Sequence, residues 1–159
     1  MATVYPPTRS SHTEPARCPC GSTLPLPDCC ARYHAGPLHL QAPTAEALMR
    51  SRYTAFVLAR PDYLLATWHP TTRPTHVDPD PPGLQWLGLK VIRHAPDPAA
   101  PHDPTRALVE FVARHRLAGR ATRLHEISRF VREQAHWLYL DALPDPLETF
   151  DRLRRRVGG

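Results

Sequence analysis

All four cysteines of the sequence fall between positions 18 and 30, as Cys18-Pro19-Cys20-Gly21-Ser22 and then Cys29-Cys30, a C-x-C-x8-C-C pattern. No other stretch narrows the fold as much. Thiolates bunched in pairs at the two ends of a short loop suit a tetrahedral zinc ion, which needs only four soft donors about 2.3 Å from one point. Cys18 and Cys20 would reach one side of the ion, with the backbone amides after Gly21 turning toward the sulfurs. Cys29 and Cys30 would approach from the other side, from the first turn of a short helix whose N-terminus favours charged thiolates. Disulfides are the competing reading. A vicinal pair or a one-residue gap makes local bridging strained, because a good bridge wants Cα atoms about 5.5–6 Å apart. Cross-pairing of the two halves stays geometrically open, as do four free thiols. No hydrophobic secretory segment precedes the motif, which argues for a reducing compartment. The expected cofactor is therefore Zn2+, on Cys18, Cys20, Cys29 and Cys30. His34 is the one nearby residue that could replace Cys29 or Cys30, with a solvated loop histidine as the plainer reading.

Composition sets the frame around that motif. The 159 residues suit one ordinary domain with a small appendage, and 42% hydrophobic residues allow a sizeable core. The 20 prolines cluster in loops and ends rather than spreading through the chain. No apolar run approaches the ~20 residues of a membrane span, so the expectation is a cytoplasmic protein with no membrane contact. A net charge of +5 raises the case for an anionic partner such as RNA or the ribosome. Lys90 is the only lysine, however, and such arginine dominance reads as a composition bias rather than a designed patch.

In chain order, residues 1–17 read as a flexible leader, 18–40 as the metal motif, 41–145 as an α+β domain, and 146–159 as a basic tail. Thr44 is a fitting N-cap with Glu46 in the first turn, and Leu48, Met49, Tyr53, Phe56 and Val57 recur at helical spacing. That helix should stop before Pro61. A second, short helix is expected over Asp62 to Thr67, then a proline-rich loop over Thr71 to Pro82. Four strand-like runs follow: Leu84 to His94, Ala107 to Leu117, Thr122 to Arg132 and His136 to Ala142. In the first, Leu87, Leu89 and Val91 alternate against Trp86, Gly88 and Lys90. Gly119 and the Glu133-Gln134-Ala135 stretch mark the turns between later runs. Two helices followed by a meander give an α+β plan, a curved antiparallel sheet folded around a long helix with a concave mouth for a small ligand.

Two resemblances sharpen this reading. Cys18-Pro19-Cys20-Gly21-Ser22 with Cys29-Cys30 resembles the SEC-C motif, a zinc module of the bacterial preprotein-translocase motor that contacts a chaperone and the ribosome. The lysine-rich middle of that module is replaced here by Thr23-Leu24-Pro25-Leu26-Pro27-Asp28, so the metal ligands carry over and the lysine contacts do not. The words Leu48-Met49-Arg50-Ser51-Arg52-Tyr53, Thr67-Trp68-His69-Pro70, Gln85-Trp86-Leu87-Gly88-Leu89, Glu126-Ile127-Ser128-Arg129-Phe130 and Trp137-Leu138-Tyr139-Leu140-Asp141, in this order, resemble the YchJ family of uncharacterised bacterial proteins. That likeness implies a cone-shaped nuclear-transport-factor-2-like (NTF2-like) domain behind an N-terminal zinc knuckle, and no established activity. Many such chains end in a second SEC-C motif. Here the end reads Asp151-Arg152-Leu153-Arg154-Arg155-Arg156, and two-zinc behaviour is not carried over.

Among polar residues, Arg52 lies near the face of the first helix expected to be buried. A buried arginine wants a carboxylate, since an unpaired charge costs about 3–5 kcal/mol. Glu126 is the candidate, as a structural ion pair or as part of a ligand-binding mouth with Trp68 and His69. His69 with Glu126, Asp62 or Asp141 is a candidate acid–base pair for hydration or isomerisation, although a helix-capping histidine is the plainer reading. There is no phosphate-binding glycine loop, no G-x-S-x-G elbow and no H-E-x-x-H helix. The leading expectation is a non-enzymatic binding module with a protein or ribosomal partner at the knuckle. The rivals are a small-molecule hydratase or isomerase in the cone, and RNA binding by the basic surface. An exposed sheet face could form a dimer.

Overall fold

The computed structural model describes residues 14–143, so the expected basic tail and most of the expected leader lie outside the described residues. After a single 3-10 turn over Leu26–Asp28 come α1 (Ala31–His34), α2 (Ala45–Val57) and α3 (Pro61–Ala66). The sheet follows as β1 (Leu84–Pro96), β2 (Arg106–Leu117), β3 (Arg120–Glu133) and β4 (His136–Ala142), in the order β1-β2-β3-β4 with every pair antiparallel.

Local chemistry sets the helix ends. Thr44 Oγ1 accepts the Ala47 N–H at 3.0 Å, and Glu46 in the first turn pairs with Arg50 one turn on at 3.2 Å. At the far end the Arg60 N–H reaches Ala55 O at 2.8 Å and the Ala59 N–H reaches Phe56 O at 3.3 Å. That is a Schellman closure, and it puts Ala59 at φ 52°. Pro61 opens α3, where a missing N–H costs nothing. Both later hairpins turn through two residues of positive φ: Ala118 and Gly119 between β2 and β3, Gln134 and Ala135 between β3 and β4.

The main core lies between α2 and the concave face of the sheet. Leu48, Met49, Tyr53 and Leu64 pack there against Val109, Phe111, Ala113 and Phe130. β2 is buried on both faces: Leu108 and Ile127 form a second cluster with Leu143 on the reverse side. One expectation fails in β1. The pairing slips between Trp86 and Gly88 and again between Val91 and Arg93, so each slip leaves one extra residue. Leu87 and Ile92 are thereby turned out, 36% and 46% exposed, while Trp86, Leu89 and Val91 face the core. A strict two-residue alternation misses this. Beyond the sheet, the end of α3 is fastened to β4. Tyr139 N–H donates to Thr67 O at 2.8 Å and His69 N–H to Tyr139 O at 2.7 Å, a short parallel bridge. Among the described residues no helix is long and apolar enough to cross a membrane.

Candidate metal centre and cone cavity

The four cysteines meet at one point. Their sulfurs all lie within 4.8 Å of one another and all four residues are buried. None forms a disulfide. The Cys20–Cys29 and Cys29–Cys30 Sγ separations are 3.7 and 3.9 Å. Four thiolates about 2.3 Å from a tetrahedral ion stand about 3.8 Å apart, so the donor set fits such an ion. The backbone makes this meeting local. Cys18 N–H bonds to Leu24 O at 3.0 Å, closing the loop, and Gly21 turns it at φ 87°. A Cβ on Gly21 would lie 3.1 Å from Leu89 O, so glycine is also needed for the close approach to β1. Cys29 ends the 3-10 turn and Cys30 caps α1.

Hydroxyls and one arginine hold the cluster to the domain. Ser22 Oγ is 3.1 Å from Cys29 Sγ, and Thr54 Oγ1 on α2 is 3.7 Å from Cys18 Sγ. Arg50 Nη1, also on α2, donates to Cys20 O at 2.8 Å while Nε and Nη2 hold Glu46. Hydrogen bonds from Cys18 and Cys30 push the Cys20 thiol far down, and sharing those protons pushes Cys30 up. Burial raises Cys29. A cation at the centre of the four sulfurs would favour their charged form.

His34 is neither a ligand nor solvated. Its Nε2–H donates to Ser51 O at 2.8 Å, its ring lies 4.5 Å from that of Tyr63, and Nδ1 has no partner among the described residues. Burial lowers its pKa, so the ring is neutral at neutral pH.

The second feature is a cavity of about 170 Å³ between α2 and the sheet. Met49, Phe56, Phe111 and Phe130 give apolar walls, and Arg52, Glu126 and Ser128 bring polar groups into it. Three of the four expected cavity residues are here: Arg52, Trp68 and Glu126. The expected Arg52–Glu126 ion pair does not form among the described residues. Arg52 instead donates from Nη1 to Leu64 O at 2.8 Å and to Thr67 Oγ1 at 2.7 Å. Its guanidinium lies 5.0 Å from the Trp68 ring and 4.7 Å from the Tyr139 ring. Carbonyl, hydroxyl and two π faces stabilise the charge in place of a carboxylate. Burial pushes Arg52 down to about 10, which leaves it cationic at neutral pH. Glu126 accepts from Ser128 Oγ at 2.7 Å instead.

His69 is turned away from this space. Its Nε2 contacts Glu133 Oε1 at 2.8 Å, and its Nδ1 lies 2.7 Å from Thr71 Oγ1. It does not line the cavity with Glu126. Asp141 is held in a two-point pair by Arg129, at 2.6 and 2.5 Å, and Asp62 is exposed. The acid–base pairs expected from sequence are therefore not assembled. The sequence reading missed Thr67, Tyr139 and Trp86. Tyr139 and Trp86 are aromatic residues in strands, where burial is the ordinary signal, and only the slip in β1 tells that Trp86 faces inward.

Comparison with known proteins agrees with this architecture. The family model described as the YchJ middle NTF2-like domain matches residues 44–142. A UPF0225 protein of Bordetella pertussis is 56% identical over 133 residues, covering 84% of this chain and 96% of that relative. One from Methylibium petroleiphilum is 57% identical over 132 residues, covering 83% and 91%. The solution structure of a SEC-C motif-containing protein from Rhodopseudomonas palustris superposes with a TM-score of 0.65 at 32% identity, covering 79% of this chain and 96% of that one. A crystal structure of a SEC-C motif-containing protein from Psychrobacter arcticus gives 0.63 at 34% identity, covering 78% and 80%.

Proposed function

Given that this chain belongs to the YchJ family, also called UPF0225, we propose that it is a zinc-stapled binding protein rather than a catalyst. One observation carries the reading. Cys18, Cys20, Cys29 and Cys30 form a closed, buried four-sulfur set that fits a tetrahedral ion and leaves no donor position for substrate. Zinc here would be structural, holding the loop of residues 18–30 against α2. Around that staple Leu24 and Leu38 are each 47% exposed, which supports a protein partner, ribosomal proteins included, at the knuckle. Catalysis by His69 finds no support, since its ring is engaged with Glu133 and Thr71 outside the cavity. The test has two arms. Metal analysis of the purified protein should give about one zinc per chain, lost in a Cys29→Ser/Cys30→Ser double variant. Affinity purification should then compare the intact protein with Leu24→Glu, which keeps all four ligands. A defined protein lost in that variant supports the knuckle as the contact surface. An identical set of partners overturns it.

RNA is the second reading, supported by the β2–β3 hairpin. Arg114 and Arg123 face each other across its strands, with Arg116 and Arg120 exposed nearer the turn. Like charges directly opposite repel, and a bound phosphate would relieve that. RNA affinity should fall steeply with salt, and Arg114→Gln/Arg123→Gln should reduce the slope. Affinity that is flat in salt removes this reading.

A further inference from the structure

The cone cavity contains polar groups that the protein itself leaves unused. Trp68 and Trp86 line it with their rings, while the indole Nε1 of each is sealed away from that space. Arg52 supplies the free donors. Its bonds within the described residues come from Nη1, and neither Nε nor Nη2 makes one. The acceptor side is smaller: Glu126 takes Ser128 Oγ on Oε1 and stands beside the Tyr139 phenol.

Charge decides what could complete this set. Arg52 and Glu126 bring one positive and one negative charge into the same space, so the cavity is already balanced. A charged ligand would enter between apolar walls without a counter-ion. Shape decides the rest. The volume of about 170 Å³ suits a single ring with one substituent, and seven aromatic side chains contribute to the wall. Flat ligands pack against such faces by stacking or edge contact.

We propose that the cavity binds a small, neutral, planar molecule carrying both a carbonyl-type acceptor and an N–H donor, an amide or lactam on one aromatic ring. The acceptor pairs with the Arg52 Nε and Nη2 N–H groups and the donor with the Glu126 carboxylate. The ring fills the space against Phe111 and Phe130. This inference is independent of the zinc and partner readings, since none of its residues belongs to the cysteine cluster.

The experiment titrates the full-length, zinc-loaded protein with benzamide, benzoate and toluene, followed by tryptophan fluorescence and by chemical-shift changes of the indole N–H protons. Benzamide should saturate at least about tenfold more tightly than either comparator, as a site built for hydrogen bonds rejects analogues lacking them. The indole proton of Trp68, whose ring lies against the Arg52 guanidinium, should move. Glu126→Gln should weaken benzamide about tenfold while leaving toluene unchanged, with circular dichroism confirming that the variant is folded. Tighter binding of benzoate would make Arg52 an anion site and overturn the proposal. Equal binding of toluene would reduce the cavity to an apolar hole. No saturation by any probe in the folded protein would also overturn it.

Discussion

Arg52 carries a full charge into the interior without a carboxylate of the described residues in ion-pair reach, and it is stable there because of its shape. A planar fork can serve Leu64 O and Thr67 Oγ1 from one nitrogen while presenting its faces to Trp68 and Tyr139. An ammonium cannot do both. Arg52→Lys should cost about 1–3 kcal/mol of stability in urea denaturation, because an acceptor and the flat π contacts are lost together. His34 makes a second residue-scale prediction. Burial sets its folded pKa below its ordinary value of 6.5, so the unfolded chain binds the proton first. Its contribution to stability is complete above that ordinary value and is lost as pH falls toward the folded pKa. Melting temperature should therefore drop on acidification below about pH 6.5, and His34→Gln should flatten that part of the curve. The cysteines were legible as a cluster that could hold a metal because their spacing is local and a short loop can close on itself. The surroundings of Arg52 were not. Leu64 and Thr67 lie on α3 and Tyr139 on β4, and only the folded chain brings them to α2.

At the scale of elements, the two helix ends and the hairpin turns show where backbone geometry and residue type disagree. Ala59 closes α2 in the left-handed region, where glycine has no Cβ penalty. Ala59→Gly should raise stability by about 1 kcal/mol, read as a shift in the denaturation midpoint with an unchanged slope. Ala118, ahead of Gly119 in the β2–β3 turn, has φ 49° and should respond to Ala118→Gly in the same direction. Strand and helix boundaries came out of the sequence to within a residue or two because Thr44, Pro61 and the hydrophobic runs are local signals. The slips in β1 did not, because a bulge keeps the composition of a strand while changing which face each residue takes. The alternation put Leu87 on one face with Leu89 and Val91 and Trp86 on the other, whereas the folded strand turns Leu87 out and Trp86 in beside Leu89 and Val91.

For the molecule as a whole, α2 is the shared wall between the cysteine cluster and the cavity. Thr54 and Arg50 hold the cluster on one side, and Met49, Arg52, Tyr53 and Phe56 line the cavity on the other. Stripping the proposed zinc with a chelator should lower the melting temperature by about 10 °C or more, given the size of structural-zinc binding energies. It should also change the emission of Trp86, which packs against Tyr53 and Phe56 of the same helix. The α+β plan was readable from the order of the runs, and the antiparallel meander from turns too short for crossovers. The way the knuckle docks was not, since nothing in the order of residues says that Gly21 will lie over Leu89. That docking has a consequence beyond folding. β1 is an outer strand of the sheet, and the cysteine loop sits against it at Leu89. At the opposite rim Thr67 to His69 cover β4. The knuckle is thus a lid on a strand edge that would otherwise template pairing with another chain. Zinc starvation should then reveal itself less as lost binding than as turbidity, with light scattering rising in the metal-free protein and Leu89→Lys suppressing it.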